Sequence, residues 1–325
     1  MPAKLIDGEA IAKQMNAEVA AEAKKLAEAG RPPRLVAVQV GENPASKIYT
    51  NKQAKSCQDV GIQYELLTLP ESATQAEVLG RIEQLNGDPK VSGVILQMPL
   101  PRQVDARAVQ VKIAPDKDVE GMHPQNMGRL FYGGGIVAPC TPMAAVTLLR
   151  AACPDLAGKE TVVVGHSEIV GKPIAAILLQ SLNASPTVTI CHIATKDLAV
   201  HTRQAEVLIG ATGVPQVRWL SYQRKKKAGE KVSPPDLSPL VKGDMIRPGA
   251  IVIDVAINRI PKALDPDGNP VLNEKGKPAM ITVGDVDAAA AMEKASAVTP
   301  VPGGVGPVTV AMLLKNTIAC AKAIA

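Results

Sequence analysis

Aromatic side chains are almost missing from this chain of 325 residues, which has one Trp, one Phe and four Tyr, 2% of the total. Its core must be built from Val, Ile, Leu, Ala and Met, and Trp219 and Phe131 are too few to form a stacking platform for nucleic-acid bases. The five cysteines, Cys57, Cys140, Cys153, Cys191 and Cys320, are odd in number, far apart and never in a C-x-x-C pair. That argues against a disulfide framework and against zinc, and no metal centre is expected. No apolar stretch is long and uninterrupted enough to span a bilayer. The opening Met1-Pro-Ala-Lys-Leu-Ile-Asp7 lacks the apolar run of a secretory signal. The expectation is a reduced, cytoplasmic protein that has neither a membrane nor a nucleic acid as partner.

The chain's length suggests two domains at about 100–200 residues each. Hydrophobic residues are 46% and charged residues 21%, as in an ordinary globular protein. Part of the net charge of +5 comes from Arg224-Lys225-Lys226-Lys227, which reads as an exposed, solvated loop. A mildly basic chain also suits an acidic ligand such as a dinucleotide. Leu35–Val40, Val91–Leu96, Thr161–Val164, Val188–Ile190, Val207–Ile209 and Ile251–Val255 are near-continuous apolar runs, the pattern of strands buried on both faces of a parallel sheet. Helical stretches lie between them, among them Gly8–Ala29, Ala45–Val60, Gln75–Leu85, Pro142–Ala152 and Lys172–Leu182. Strand–helix alternation predicts α/β domains with right-handed crossovers. A boundary is expected near Pro139–Pro142. A final apolar helix from about Val308 should pack on something, and the first domain is one candidate. Ser221–Pro239 is polar and proline-containing and reads as an extended surface insertion.

Chemistry concentrates in a few segments. In Val162-Val-Val-Gly-His-Ser-Glu-Ile-Val-Gly-Lys-Pro173 a buried strand ends at Gly165, a polar turn follows, and a helix begins near Gly171. Proline is tolerated in a first helical turn, and free N–H groups at such a helix start suit a dinucleotide pyrophosphate. The spacing is not G-x-G-x-x-G, so a purely structural turn is an equal reading. The next strand ends at Cys191-His192, without the Asp or Glu that grips ribose hydroxyls in NAD sites. His166, Ser167, Cys191, His192 and Thr195 are the groups available, and two histidines can hold a 2′-phosphate or simply be loop residues. Ser46, Tyr49 and Gln53 share one helical face, with Lys52 about 100° from Gln53 and Lys55 pointing nearly opposite to Ser46. Gln97 sits at the carboxyl end of a buried strand, where α/β sheets place ligands. Pro115–Arg129 is polar, glycine-containing and non-periodic, and reads as a loop.

Together these segments resemble the methylenetetrahydrofolate dehydrogenase/cyclohydrolase family, of the FolD type, over nearly the whole chain. The motifs that carry the resemblance are Asn43-Pro-Ala-Ser-x-x-Tyr49, Leu96-Gln-x-Pro-Leu-Pro101, Pro115-Asp-Lys-Asp-Val, the Gly165–Pro173 turn, Val252-Ile-Asp-Val-x-Ile-Asn258, Val283-Gly-Asp-Val286 and Thr299-Pro-Val-Pro-Gly-Gly-Val-Gly-Pro307. The resemblance implies two α/β domains flanking a cleft. Residues 1–145, with a C-terminal helix in 300–325, form the folate-binding catalytic domain, and 146–299 form a Rossmann-like NAD(P)-binding domain. It further implies a folate substrate, NADP as cofactor with NAD possible, and a homodimer. By position, Tyr49, Gln53, Gln97 and Glu120 match catalytic residues. Ser46, Pro302, Gly303 and Gly304 join Tyr49, Gln97 and Glu120 around the folate. Gly165, His166, Ser167 and Ile257 match the cofactor site, to which the strand end at Cys191 and His192 is added as a candidate.

Three positions depart from the family. Its catalytic lysine, four residues after the tyrosine, is Gln53, and no gap brings Lys55 into its place. Its pterin-binding aspartate is Glu120, a carboxylate one methylene longer. The arginine common beside the cofactor glycine is His166. An amide cannot titrate near neutrality, so hydride transfer is expected to persist while cyclohydrolase activity is in doubt. The alternatives are a fully bifunctional enzyme, a catalytically silent pterin- or dinucleotide-binding protein, and another α/β dehydrogenase.

Overall fold

The apolar runs become strands and the intervening segments become helices in a computed structural model that describes residues 2–324 except Asn43, with the side chains of residues 44–49 outside the described set. In chain order the elements are β1 (Lys4–Leu5), α1 (Gly8–Glu28), β2 (Arg34–Val40), α2 (Pro44–Asp59), β3 (Gln63–Leu69), α3 (Gln75–Gly87), β4 (Gly93–Leu96), α4 (Ala106–Lys112), α5 (Pro124–Tyr132) and α6 (Cys140–Ala152). There follow β5 (Glu160–Val164), α7 (Gly171–Leu178), β6 (Thr187–Cys191), α8 (Leu198–Thr202), β7 (Val207–Gly210), α9 (Val214–Lys227), β8 (Ile251–Asp254), β9 (Asn258–Pro261), β10 (Met280–Val283), α10 (Ala288–Lys294), β11 (Ala297–Val298) and α11 (Val305–Ala323). Among the described residues no helix is long and apolar enough to cross a membrane.

The chain divides into two units. One is Glu9–Ala144 with Pro307–Ala325, and the other is Met1–Gly8 with Ala145–Gly306. The first unit is built on a parallel sheet of order β3-β2-β4. Side chains alternate across a strand, so Leu35 and Ala37 of β2 join Val19, Ala23 and Leu26 of α1, Cys57 of α2 and Leu314 and Ile318 of α11 on one face. Val36, Val38 and Val40 join Val78, Ile82 and Leu85 of α3 and Val109 of α4 on the other. A capping box, Thr74 with Glu77, starts α3 at a fixed residue. Asn316 of α11 is buried and donates to the carbonyls of Val119 (2.8 Å) and Ala138 (2.9 Å), pinning the segment that carries Glu120.

The second unit holds a six-stranded parallel sheet of order β1-β11-β8-β7-β5-β6. Val162, Val164, Leu208, Val252 and Val298 form the core on one face, and the alternate residues Val163, Ile209 and Ile253 are fully buried on the other. Counted from β5, the order is second, first, third, fourth, fifth. The switch in winding direction therefore falls between β5 and β7, the place where doubly wound sheets open a ligand crevice at the strands' carboxyl ends.

Several expectations change. Met1–Gly8 belongs to the six-stranded unit and not to the region 1–145, because β1 pairs in parallel with β11. The terminal helix begins at Val305, and its unit boundary falls after Gly306, so Pro302–Gly304 lie with the six-stranded unit. Residues 221–227 are not loop. They continue α9, anchored by the buried Trp219 and Tyr222, with the basic residues in the last turn, where the helix dipole favours cations. Pro115–Arg129 is not loop throughout. His123 caps α5 by accepting from Gln125 N–H at 3.0 Å, Pro124 occupies the first turn, and Gly133 closes the helix at φ 78°. The run at Val188–Ile190 is not buried on both faces, since β6 is an edge strand.

If Asn316 fixes this segment, Asn316→Ala should leave the Ala138 carbonyl without its side-chain donor. The expected outcome is a loss of about 1–3 kcal/mol, read as a lower urea midpoint.

Candidate functional site

Helix α2 and the end of β4 bring together two of the residues singled out in the first unit. Gln53 is half-buried, while Lys52 and Lys55 are exposed, as expected from their angular positions. Gln97 is buried one residue past β4, and its backbone N–H is held by Val38 O at 2.8 Å. Its side-chain amide donates to Gln53 Oε1 at 2.8 Å, with the amide orientations assigned from this network. Tyr64 of β3 also donates to Gln53 Oε1, at 3.5 Å. Burial pushes the Tyr64 phenol up to about 12, so it stays a neutral donor. Sequence reasoning missed Tyr64; its only signal was an inward position on an alternating strand. Ser46 and Tyr49 lie on the same helix, but their side chains lie outside the described residues.

Glu120 follows the buried Asp118 and Val119 in the same unit. Asp118 accepts from His123 N–H at 2.7 Å and from the Asn126 amide at 3.0 Å. Loss of water around Glu120, and then the neighbouring charge of Asp118, push its carboxyl up to about 7. Cys140 donates its thiol to Val119 O at 3.3 Å and is raised well above its ordinary range, first by burial and then by Glu120 and Asp118. It is therefore a packed neutral thiol and not a nucleophile. The first unit thus offers a neutral amide pair and a carboxyl that titrates near neutrality.

In the second unit, the residues expected around a cofactor sit at the carboxyl edge of one sheet. Gly165, His166 and Ser167 follow β5; Cys191 ends β6 and His192 follows it; Ile257 follows β8; Pro302, Gly303 and Gly304, expected on the folate side, follow β11. Gly165 has φ +139°, and a Cβ there would lie 2.3 Å from Ala211 O at the end of β7. A Cβ on Gly171 would lie 1.8 Å from Gly165 O. Only glycine permits this strand–turn–helix to close so tightly. Cys191 is buried and takes part through its carbonyl, which accepts from Gly165 N–H at 2.8 Å. The rings of His166 and His192 stand edge to face with centroids 4.6 Å apart. Ile257 is exposed, and the Ser167 hydroxyl accepts from Val170 N–H at 3.1 Å. Val170 at the start of α7 supplies no side-chain cap, which leaves the first turn suited to an anionic group. The tight glycines, that uncapped helix start and the absence of an acid at His192 fit a dinucleotide carrying an extra phosphate.

Two aspartates outside the expected site explain two of the motifs. Asp254 accepts from the backbone N–H groups of Ala256, Asp285 and Val286, at 3.2, 3.0 and 2.8 Å. Burial pushes its carboxyl up to about 7. Asp285 accepts from Thr212 N–H (2.5 Å), Gly213 N–H (3.0 Å) and the Asn258 amide (3.1 Å). The pair ties the ends of β7 and β8 together and fixes the backbone against which Gly165 turns.

Comparison with known proteins matches both halves of the chain to one family. Residues 6–120 match the family model of the tetrahydrofolate dehydrogenase/cyclohydrolase catalytic domain. Residues 139–223 and 236–325 match that of its NAD(P)-binding domain. The gap inside the second match, 224–235, holds the basic end of α9. The chain is 44% identical over 320 residues to the bifunctional protein FolD of Geotalea uraniireducens, covering 98% of this chain and 99% of the relative. Identity is also 44% over 322 residues to the bifunctional protein FolD of Moorella thermoacetica, covering 99% and 100%. Among solved structures, FolD of Campylobacter jejuni superposes with a TM-score of 0.81 at 38% identity, covering 99% of each chain. FolD of Trypanosoma brucei, complexed with NADP cofactor and inhibitor, gives 0.81 at 32% identity, covering 99% and 98%. With both family models matched in order, the chain belongs to the tetrahydrofolate dehydrogenase/cyclohydrolase family.

Proposed function

We propose that this protein is a methylenetetrahydrofolate dehydrogenase that uses NADP, with NAD as the alternative acceptor, and that it hydrolyses its methenyl product only weakly. The observation that supports this reading is the Gln53–Gln97 hydrogen bond, a pair of neutral amides in the region where the resemblance implies a titratable amine.

Oxidation of the bridge asks little acid–base work of the protein. The folate nitrogens push hydride from the methylene carbon and leave a resonance-stabilised methenyl cation. The neutral amides of Gln53 and Gln97 put no positive charge beside that cation. Glu120, as carboxylate, accepts paired hydrogen bonds from the amino-pyrimidine edge and orients the pterin. Tyr49 lies one helical turn before Gln53 and is assigned the face of the reacting carbon, with Ser46 beside it. Gly165, Ser167 and the start of α7 hold the pyrophosphate, and Ile257 borders the same sheet edge. Pro302, Gly303 and Gly304 are assigned to the folate side. When bound, the dinucleotide supplies the hydride acceptor.

Hydrolysis of the methenyl bridge is a different demand. Water must be activated and a proton moved, a contribution of about 10²–10⁴-fold from a positioned titratable group. Gln53 offers none. A second reading, full bifunctionality, is favoured by the names of the relatives at 44% identity. It is also favoured by Glu120, whose carboxyl titrates at about 7 and could serve in the lysine's stead.

Gln53→Lys should raise the methenyltetrahydrofolate hydrolysis rate by about 10²-fold or more while leaving hydride transfer within the same order. Spectrophotometric decay of the methenyl cation measures it, and a wild-type rate already well above background would support bifunctionality instead. The pH dependence has a definite sign. In the ligand-free chain Glu120 is protonated below about 7, and the pterin pairs with its ionised form, so binding lowers its pKa. Folate affinity is then full above about 7 and falls by up to about tenfold per pH unit below it. Fluorescence titration of folate across that range should show the fall in wild type and a flat profile in Glu120→Gln.

A further inference from the structure

The four cations that end α9 are used by neither the folate reading nor the dinucleotide reading. They lie in residues 224–235, outside the match to the NAD(P)-binding domain, so they are additional to the machinery that match covers. A helix C-terminus attracts cations, but the dipole does not explain what surrounds these. Trp219, Tyr222, Gln223, Lys226 and Lys227 fall at helical spacing along one face of α9. Trp219 and Tyr222 are buried, stack with ring centroids 5.8 Å apart, and form a small apolar core of their own with Ile260 of β9.

A turn in the β9–β10 connection is locked against that face. Asp265 closes the turn by accepting from Asn269 N–H at 2.7 Å and from its side-chain amide at 3.2 Å. Gly268 has φ +73°, and a Cβ there would lie 2.0 Å from Tyr222 Oη, so only glycine lets the turn sit on this ring. Tyr222 Oη donates to Asp267 O at 3.4 Å. Lys226 crosses to the same turn and donates to Asp267 O and Asn269 Oδ1, both at 2.8 Å, with its ammonium 5.6 Å from the Tyr222 ring centre. Between α9 and Gly268–Pro270 an open cleft of about 590 Å³ remains, wholly within the six-stranded unit. That volume is in the range of small-molecule sites.

The cleft is electrically unbalanced. Elsewhere in this unit Arg203 finds Asp244 at 2.9 Å and Arg218 finds Asp236 at 3.8 Å. Among the described residues no carboxylate lies within ion-pair reach of Arg224, Lys225 or Lys227. Lys226 is held by neutral oxygens only. Four cations on α9 thus stand against two carboxylates on the turn, Asp265 and Asp267, and the first of these is occupied by Asn269. Arg224 and Lys227 line the cleft, whereas Lys225 does not. The geometry points to a binding site for a polyphosphate anion in this cleft, held by Arg224 and Lys227 on a frame fixed by Lys226, Tyr222 and Gly268. Each phosphate brings up to two charges and several acceptor oxygens, and a guanidinium fork takes it in two parallel hydrogen bonds. Residues three apart on a helix hold their Cβ atoms roughly 5–6 Å apart, so linked phosphates reach both cations at once. A single carboxylate carries one charge and leaves the second cation unpaired. The buried rings of Trp219 and Tyr222 present no face to a base, so the phosphate chain is the part recognised.

Isothermal titration calorimetry of the full-length protein, with NADP already at saturation to occupy the dinucleotide site, tests this at ~50 mM salt. Inorganic tripolyphosphate should bind, ATP should bind within about threefold of it, and adenosine should give no heat. The double variant Arg224→Ala/Lys227→Ala should weaken tripolyphosphate by about tenfold or more. Lys225→Ala removes an equal charge from outside the cleft and should change it by no more than roughly twofold. NADP affinity should be the same in all three proteins, which also shows that the variants are folded. No heat with tripolyphosphate overturns the site, as does an equal loss in Lys225→Ala, which would reduce the turn to a solvated charge run. ATP binding without tripolyphosphate binding, or citrate binding as tightly as tripolyphosphate, also overturns it. None of these results bears on the folate or dinucleotide reading, which the site does not require.

Discussion

A single amide–amide hydrogen bond, Gln97 Nε2 to Gln53 Oε1 at 2.8 Å, is the interaction on which the proposed folate chemistry depends. It joins the carboxyl end of a central strand to the inward face of α2 without placing a titratable group there. Tyr64 adds a second donor to the same oxygen and is itself held neutral by burial. In the same unit, burial brings the carboxyl of Glu120 up to about 7. A site of this composition suits a reaction in which the substrate's own nitrogens do the electronic work and the protein supplies position.

The dinucleotide side depends on close approach of backbone instead. Gly165 and Gly171 allow the end of β5, the start of α7 and the end of β7 to pack at distances that a Cβ would forbid. The buried carboxylates Asp254 and Asp285 hold the β7 and β8 ends in register from behind. The turn's geometry comes from these glycines and not from the side chain of His166 between them.

Much of this was legible in the sequence, for identifiable reasons. Strands such as β2, β4, β7 and β8 are buried on both faces and announce themselves as unbroken apolar runs. The edge strand β3 alternates, and β1 and β11 are two residues long, so no run marks them. Helix α5 was hidden because its signals are a histidine cap, a first-turn proline and a closing glycine in a polar stretch. The end of α9 was hidden because four consecutive cations look like a loop unless the buried Trp219 and Tyr222 before them are given weight. Gln53, Gln97 and Glu120 were singled out by position within motifs, and the structure joins the first two by a hydrogen bond. Tyr64, Asp118 and Asn316 were not, since their roles depend on contacts between segments far apart in the chain.

The central claim, hydride transfer without efficient hydrolysis, is tested most directly by following both products in one cuvette. Purified protein is mixed with methylenetetrahydrofolate and NADP, and reduced cofactor and methenyl cation are recorded together. The account predicts that the methenyl cation accumulates in step with reduced cofactor. Reduced cofactor rising while the methenyl cation stays at a low steady level, or no cofactor reduction at all, would contradict it.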